Sequence, residues 1–298
     1  MINISFFSYK GGAGRTSLLY NVLPYLVEEL NATPREPIVV IDLDIDSKGL
    51  SYLLEADSEY NTIQVLRGEE SIGFYTNEND IGKHPFFKNL APIGSKIGLP
   101  GDQNKAVLFI SANSTSEDNK YLNNGTNFDS SNISLKSLNR LCQDMNCKAI
   151  VMDTPAGEQL TSRVALSISK KVVTVMRITS QFRTGTYNFL NDVAHRYSGK
   201  EFIITPNAVP SFEGTIYDIN ERMSEIANRT SESISKSNNT INLNMINNDT
   251  NGVNEVQLFK FDEKNLVKES QLRNLTSDEI EASKKYKLLA KEIVKWGF

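Results

Sequence analysis

The sequence predicts an α/β protein: a mostly parallel central sheet with helices flanking both faces. Three observations carry that expectation. Short, nearly unbroken apolar runs recur along the chain and end in polar or acidic residues, as strands buried on both faces do. Stretches with apolar residues at helical spacing separate most of these runs. A glycine-rich turn, SYKGGAGRTS at residues 8–17, stands between the first run and the first helical stretch.

The elements follow in order. Residues 2–8 form a short β-prone run, and the turn then gives way to TSLLYNVLPYLVEELN, apolar at helical spacing until Asn31. PIVVID at 37–42 is a continuous apolar run ending in acid, which suits a buried parallel strand. Residues 55–105 carry charges, glycines and weak periodicity, so they read as short helices and loops inserted after the second strand. AVLFISA (106–112), KAIVMD (148–153), KVVTVMR (171–177) and EFIIT (201–205) read as further strands. Residues 228–254 are dominated by Asn, Ser and Thr, bury little apolar surface, and read as a mobile polar excursion. The chain recovers with VQLFKF and ends in a helical stretch, SDEIEASKKYKLLAKEIVKW, where Ser277 suits the N-cap and Asp278 and Glu279 the first turn. The expected organisation is one domain over residues 1–298 with insertions at about 55–105 and 228–254.

Composition narrows the class. With 39% hydrophobic and 23% charged residues the chain reads as an ordinary soluble globular protein, and a net charge of −4 gives no global attraction to nucleic acid or an acidic membrane. The first residues are too quickly broken for a signal peptide, and no run approaches the ~18–20 apolar residues of a membrane span, so a cytoplasmic location is expected. Cys142 and Cys147 lack a second ligand pair and are expected as two reduced thiols near a helix end.

The turn carries the first chemistry. In a G-x-x-x-x-G-K-[ST] loop, glycines let backbone N–H groups close on phosphate oxygens, the lysine reaches the β/γ-phosphates, and the hydroxyl ligates Mg²⁺. Here Gly14 and Thr16 hold their places, but Tyr9 replaces the first glycine, Arg15 replaces the lysine, and a lysine stands five residues early at Lys10. A glycine loop between a strand and a helix aims several N–H groups and the helix dipole at one anion. Arginine keeps its charge permanently and can bond phosphate through a planar fork. Two further elements end strands in acid: IVVIDLDIDSKG, with Asp42, Asp44 and Asp46, and KAIVMDTPAG, with Asp153. Carboxylates at strand ends beside a phosphate loop can hold Mg²⁺ or orient an attacking water.

The KGG-x-G-[KR]-[ST] arrangement, with Lys10 directly before paired glycines, resembles the deviant Walker A phosphate loop of the ParA/MinD-type P-loop ATPases. The resemblance implies ATP and Mg²⁺ as cofactors, with Gly11, Gly12, Ala13, Gly14, Arg15, Thr16 and Ser17 around the phosphates. It implies that Lys10 reaches across an ATP-sandwich homodimer to the partner subunit's phosphates. By the same match Asp44 positions water, Asp42 supports the metal site, Asp153 is a Walker-B-like carboxylate, and Thr154–Gly157 senses the γ-phosphate. Asn207 in FIITPNAV matches an asparagine that several relatives place on the adenine edge, although a turn asparagine serves the local sequence equally well. The sequence departs from the pattern at Arg15, which bears on the hydrolysis rate, and at Ile45–Asp46, where Asp46 reads as surface charge.

A chain of this resemblance is expected to work as a timed ATPase switch with slow hydrolysis, a protein partner that stimulates it, and nonspecific DNA as a candidate cargo for partition or positioning. Lys264, Lys268, Arg273, Lys284, Lys285 and Lys287 supply the basic residues for DNA, and neighbouring acids nearly cancel them. The spacing of Leu288, Leu289, Ile293 and Trp296 suits packing on the sheet better than lying on a membrane. The alternative is a slow ATP-dependent scaffold or sensor subunit of a larger bacterial complex, such as a defence system.

Overall fold

The computed structural model describes residues 1–68, 74, 76–113, 128–207, 225, 228, 239–243, 245–248, 253–256 and 277–295, and every feature below lies among them. In chain order the elements are β1 (Ile2–Phe7), α1 (Arg15–Leu30), β2 (Ile38–Asp42), α2 (Gly49–Leu54), α3 (Thr62–Arg67), α4 (Pro85–Lys88), β3 (Ala91–Pro92), β4 (Val107–Ile110), α5 (Phe128–Asp144), β5 (Ala149–Asp153), α6 (Leu160–Ile168), β6 (Lys171–Met176), α7 (Ser180–Arg196), β7 (Glu201–Pro206), β8 (Thr240–Leu243), β9 (Met245–Asn248), β10 (Val253–Val256) and α8 (Ser277–Lys295).

Eight strands form one sheet in the order β3-β4-β2-β5-β1-β6-β7-β8. All pairings are parallel except that of the two-residue β3 with β4. The continuous apolar runs have the reason anticipated for them, because alternate residues serve opposite faces and both faces are covered. In β2, Ile38 and Val40 join a core with Leu19, Leu23 and Leu26 of α1, Phe189 and Val193 of α7, and Leu289 and Ile293 of α8. Val39 and Ile41 join a second core with Ile63 and Leu66 of α3, Leu135 and Leu138 of α5, and Val164 of α6. The sheet is therefore the middle layer of three.

Register sets the site. Parallel pairing places Phe6 opposite Asp153 across β1 and β5, and Asp42 opposite Asp153 across β5 and β2. Three adjacent strands thus deliver the glycine turn and both acidic ends to one edge of the sheet. Residues 55–105 hold α3, α4, the short antiparallel β3 and two single 3₁₀ turns, in keeping with short elements after the second strand.

One expectation is corrected. The Asn/Ser/Thr-rich stretch contributes strands: β8 extends the sheet beside β7 in parallel, and β9 and β10 pair as an antiparallel ribbon. Composition misled because an edge strand draws on backbone pairing with its neighbour, which needs no apolar side chains. Of the VQLFKF stretch only Val256 is described, at the end of β10. The last helix includes Ser277 rather than starting after it. Leu289, Ala290 and Ile293 are fully buried against the α1 side of the sheet, and the Tyr25 and Ser283 hydroxyls share a 2.7 Å hydrogen bond. Cys142 and Cys147 are free and buried beside the end of α5, and burial pushes the Cys142 thiol well above the usual range. No described helix is long and apolar enough to cross a membrane.

Candidate functional site

The turn after β1 takes its shape from two glycines. Gly12 (φ 80°) and Gly14 (φ 75°) lie in the left-handed region, where a side chain is strained. Gly14 is also the N-cap of α1 and has no side chain capping the helix, so the first-turn N–H groups are left for a ligand. A Cβ at Gly14 would collide with the Asn207 amide. That amide donates from Nδ2 to Ala13 O (2.8 Å) and Gly14 O (3.1 Å), tying the turn to the end of β7. A second tie comes from the residue after β6, where Arg177 Nε donates to Gly12 O at 2.7 Å. Ala13 is buried under the turn, whereas Lys10, Gly11 and Gly12 are exposed. Tyr9, at the position of the usual first glycine, lays its ring over Gly185 of α7, where a Cβ would not fit.

Arg15 turns its side chain onto the acidic strand ends. Its guanidinium is buried, donating from Nε to Asp153 Oδ1 (2.5 Å) and from Nη2 to Asp44 Oδ2 (2.9 Å), with Ser8 Oγ 3.4 Å from Nη1. Thr16 Oγ1 donates to the other Asp153 oxygen at 2.7 Å. Burial alone would lower the Arg15 pKa, but Asp153 and Asp44 outweigh it and hold the cation more firmly than usual. Burial raises the Asp153 pKa, while Arg15 and Thr16 pull it back.

Asp42 is wholly internal. Its Oδ2 accepts from Ser51 N (2.9 Å) and Ser51 Oγ (2.8 Å), and its Oδ1 accepts from Asp44 N (3.1 Å). Burial, then the nearby Asp153 charge, raises its pKa to about 7. Asp42 therefore holds Asp44 and α2 in place and has no oxygen turned outward. Asp46 is exposed, Ser17 is half-buried, and Thr154 Oγ1 donates to Phe6 O at 2.9 Å. Gly157 N donates to Ser8 O at 2.9 Å, which brings the segment after β5 against the turn.

The structure thus gathers Gly11–Thr16, Asp42, Asp44, Asp153 and Asn207 at one end of the sheet. Sequence reasoning missed three contributors. Ser8 and Ser51 have no distinguishing local signal, whereas Arg177 was visible as a cation closing the run KVVTVMR. Among the described residues no group of three His, Cys, Asp or Glu could hold a metal alone. Mg²⁺ takes one or two protein oxygens and completes its shell with phosphates and water. Two buried or nearly buried carboxylates, Asp44 and Asp153, share one guanidinium, and Thr16 Oγ1 beside Asp153 Oδ2 is an oxygen pair of the right chemistry, so the residues fit a divalent ion carrying phosphate.

No protein-family model matches the chain, and no curated protein sequence does. Solved structures do resemble it over nearly its whole length. MinD of Pyrococcus horikoshii OT3, complexed with Mg-ADP, has 17% identity and a TM-score of 0.59, covering 100% of this chain and 98% of that one. A McdA variant from Cyanothece, complexed with ATP, has 12% identity and a TM-score of 0.62, covering 99% and 96%. MinD in the MinC:MinD cell division complex of Aquifex aeolicus has 16% identity and a TM-score of 0.59, covering 99% and 96%. The architecture of this chain is the ParA/MinD-type P-loop fold, with its glycine turn at the carboxyl end of the central strand β1.

Proposed function

We propose that this chain is a ParA-like ATP-binding and ATP-hydrolysing switch that acts as an ATP-sandwich homodimer. One observation carries the reading: adjacent strand ends bring the glycine turn, the open N-terminus of α1, the hydrogen-bonded pair Thr16–Asp153 and the Asp42–Asp44 unit to one place. The backbone of Gly11–Ser17 cradles the phosphates, and Thr16 with Asp153 holds the metal. Bound Mg²⁺ would neutralise charge on the β- and γ-phosphates. Asp44 orients the attacking water, and Asp42 keeps Asp44 in position through the Asp44 N–H. Asn207 has given both amide hydrogens to the turn, which leaves its carbonyl oxygen to accept from an adenine amine. Lys10 is exposed with no ion pair among the described residues, as a residue that crosses to a partner subunit should be.

The MinC:MinD complex supports a protein partner, and in this reading that partner stimulates hydrolysis. Nonspecific duplex DNA remains a candidate cargo; Lys284 is exposed, Lys287 is bonded to Glu28, and Lys264, Lys268 and Arg273 lie outside the described residues. Salt-dependent retention on duplex DNA only in the presence of ATP is the expected sign of that cargo.

A second reading, the slow ATP-dependent scaffold or sensor, is favoured by Arg15. Its guanidinium links the water-orienting and metal-side carboxylates, so turnover waits on rearrangement of that link. Calorimetry with Mg-ATP tests both readings at once. Thr16→Ala should lose affinity or hydrolysis, and Lys10→Ala should bind a nonhydrolysable analogue yet stay monomeric by light scattering. Unchanged affinity and turnover in Thr16→Ala would remove the site assignment.

A further inference from the structure

The turn's usual cation is already engaged. Arg15 donates from all three of its nitrogens into the protein, to Asp153, Ser8 and Asp44, with Thr16 Oγ1 3.5 Å from Nη2, so each nitrogen already has an acceptor. A triphosphate seated there brings several negative charges that backbone N–H groups alone meet incompletely. Lys10 is the nearest cation in sequence, but it is exposed and anchored by no contact among the described residues.

Arg177 is placed differently. The last register pair of β1 with β6 is Phe7 opposite Thr174, and Arg177 follows directly after β6, which puts it beside the turn that follows β1. Its Nε is fixed on Gly12 O at 2.7 Å, and Nη2 lies 3.9 Å from where a Gly12 Cβ would stand. Among the described residues no carboxylate comes within ion-pair distance of it, and the side chain is only half-buried. A guanidinium has five N–H donors in one plane. It can therefore hold a carbonyl through one edge and keep the other edge for an anion, which a lysine ammonium at the same place cannot do with the same rigidity.

We propose that Arg177 is the phosphate-reading cation of this site, anchored to the turn by Nε and contacting the nucleotide's phosphates through its two η nitrogens. The proposal rests on the nucleotide-binding reading above. It divides the charges of the site: Arg15 neutralises the carboxylates of β5 and the segment after β2, while Arg177 neutralises the ligand.

The test compares wild type, Arg177→Lys and Arg177→Gln by calorimetry with Mg-ATP and Mg-ADP at two salt concentrations, with thermal melting as the check of folding. Gln keeps a donor that can hold Gly12 O but carries no charge, whereas Lys keeps the charge and loses the fork. Arg177→Gln should melt as the wild type does, bind ATP about ten- to a hundredfold more weakly, as loss of a charge-assisted bond predicts, and show a shallower salt dependence. Arg177→Lys should recover most of the affinity. A wild type that binds neither nucleotide would overturn the site reading and this proposal together. Binding retained in full by Arg177→Gln would overturn this proposal alone, as would a variant with unaltered affinity that no longer dimerises, since the charge would then serve the partner subunit.

Discussion

The two ends of the sheet bury charge in different ways. At the amino end, Lys171 opens β6 and Glu201 opens β7, directly opposite one another in the register, with Nζ 3.4 Å from Oε2. Lys200 sits beside them and donates to the carbonyls of Ser169 (2.7 Å) and Ser167 (3.2 Å). At the carboxyl end, charges come from α1, β5 and the segment after β2, and one arginine pairs with Asp153 and Asp44, while Asp42 feels the Asp153 charge without touching the arginine. The first group is a product of strand neighbours: one lysine pairs with the glutamate opposite it, and the other rests on backbone carbonyls. The second is assembled from segments more than a hundred residues apart, carries excess acid, and lies against a helix N-terminus that no side chain caps. Burial of charge is thus uninformative by itself. Convergence from distant segments on a glycine turn marks a site.

The largest expected effect separates the two ends by stability. Arg15→Ala leaves two carboxylates without their cation and should cost about 3–5 kcal/mol in denaturant unfolding, as breaking a buried pair does. Lys171→Met combined with Glu201→Gln removes both partners and should be nearly neutral. Equal costs would erase the distinction. Next in size, Asp44→Ala should slow phosphate release by about a hundredfold or more while leaving ATP affinity intact, the signature of a group acting in the transition state. Equal turnover in variant and wild type would remove Asp44 from the reaction.

The smallest effect is a pH profile. Burial, then Lys170, lowers the Lys200 pKa from 10.5 to about 8. Between these values the unfolded chain binds more protons than the folded one, so stability from this residue rises from about pH 8 to 10.5 and is lost as pH falls through the folded value. Asp153 and Asp44 hold the Arg15 guanidinium charged more firmly than usual, so that residue does not titrate in the window. Subtracting the unfolding profile of Lys200→Met from that of the wild type should leave a slope confined to pH 8–10.5. A flat difference would mean that the two carbonyl acceptors hold the charged form.

Much of this was legible in the chain. The strand runs ending at Asp42 and Asp153, the helix after the glycine turn and the helix packing of residues 277–295 follow from apolar periodicity, which is a local property. The glycines at 12 and 14 were legible because positive φ restricts residue type. The strand β8 was not, because edge pairing is a property of its neighbour β7 rather than of its own composition.

By itself, the sequence determined the layered α/β class, the order of its elements and the residue types at the turn, since each depends on neighbours a few positions away. Only the tertiary structure decided which groups Arg15 serves. A guanidinium on a flexible stem bonds whatever acceptors the fold brings within reach, and Asp44 and Asp153 lie 29 and 138 residues away along the chain. The same holds for Arg177, which gains a meaning at Gly12 only because β6 lies beside β1. Long-range register is set by the packing of the whole sheet, and no local window of sequence contains it.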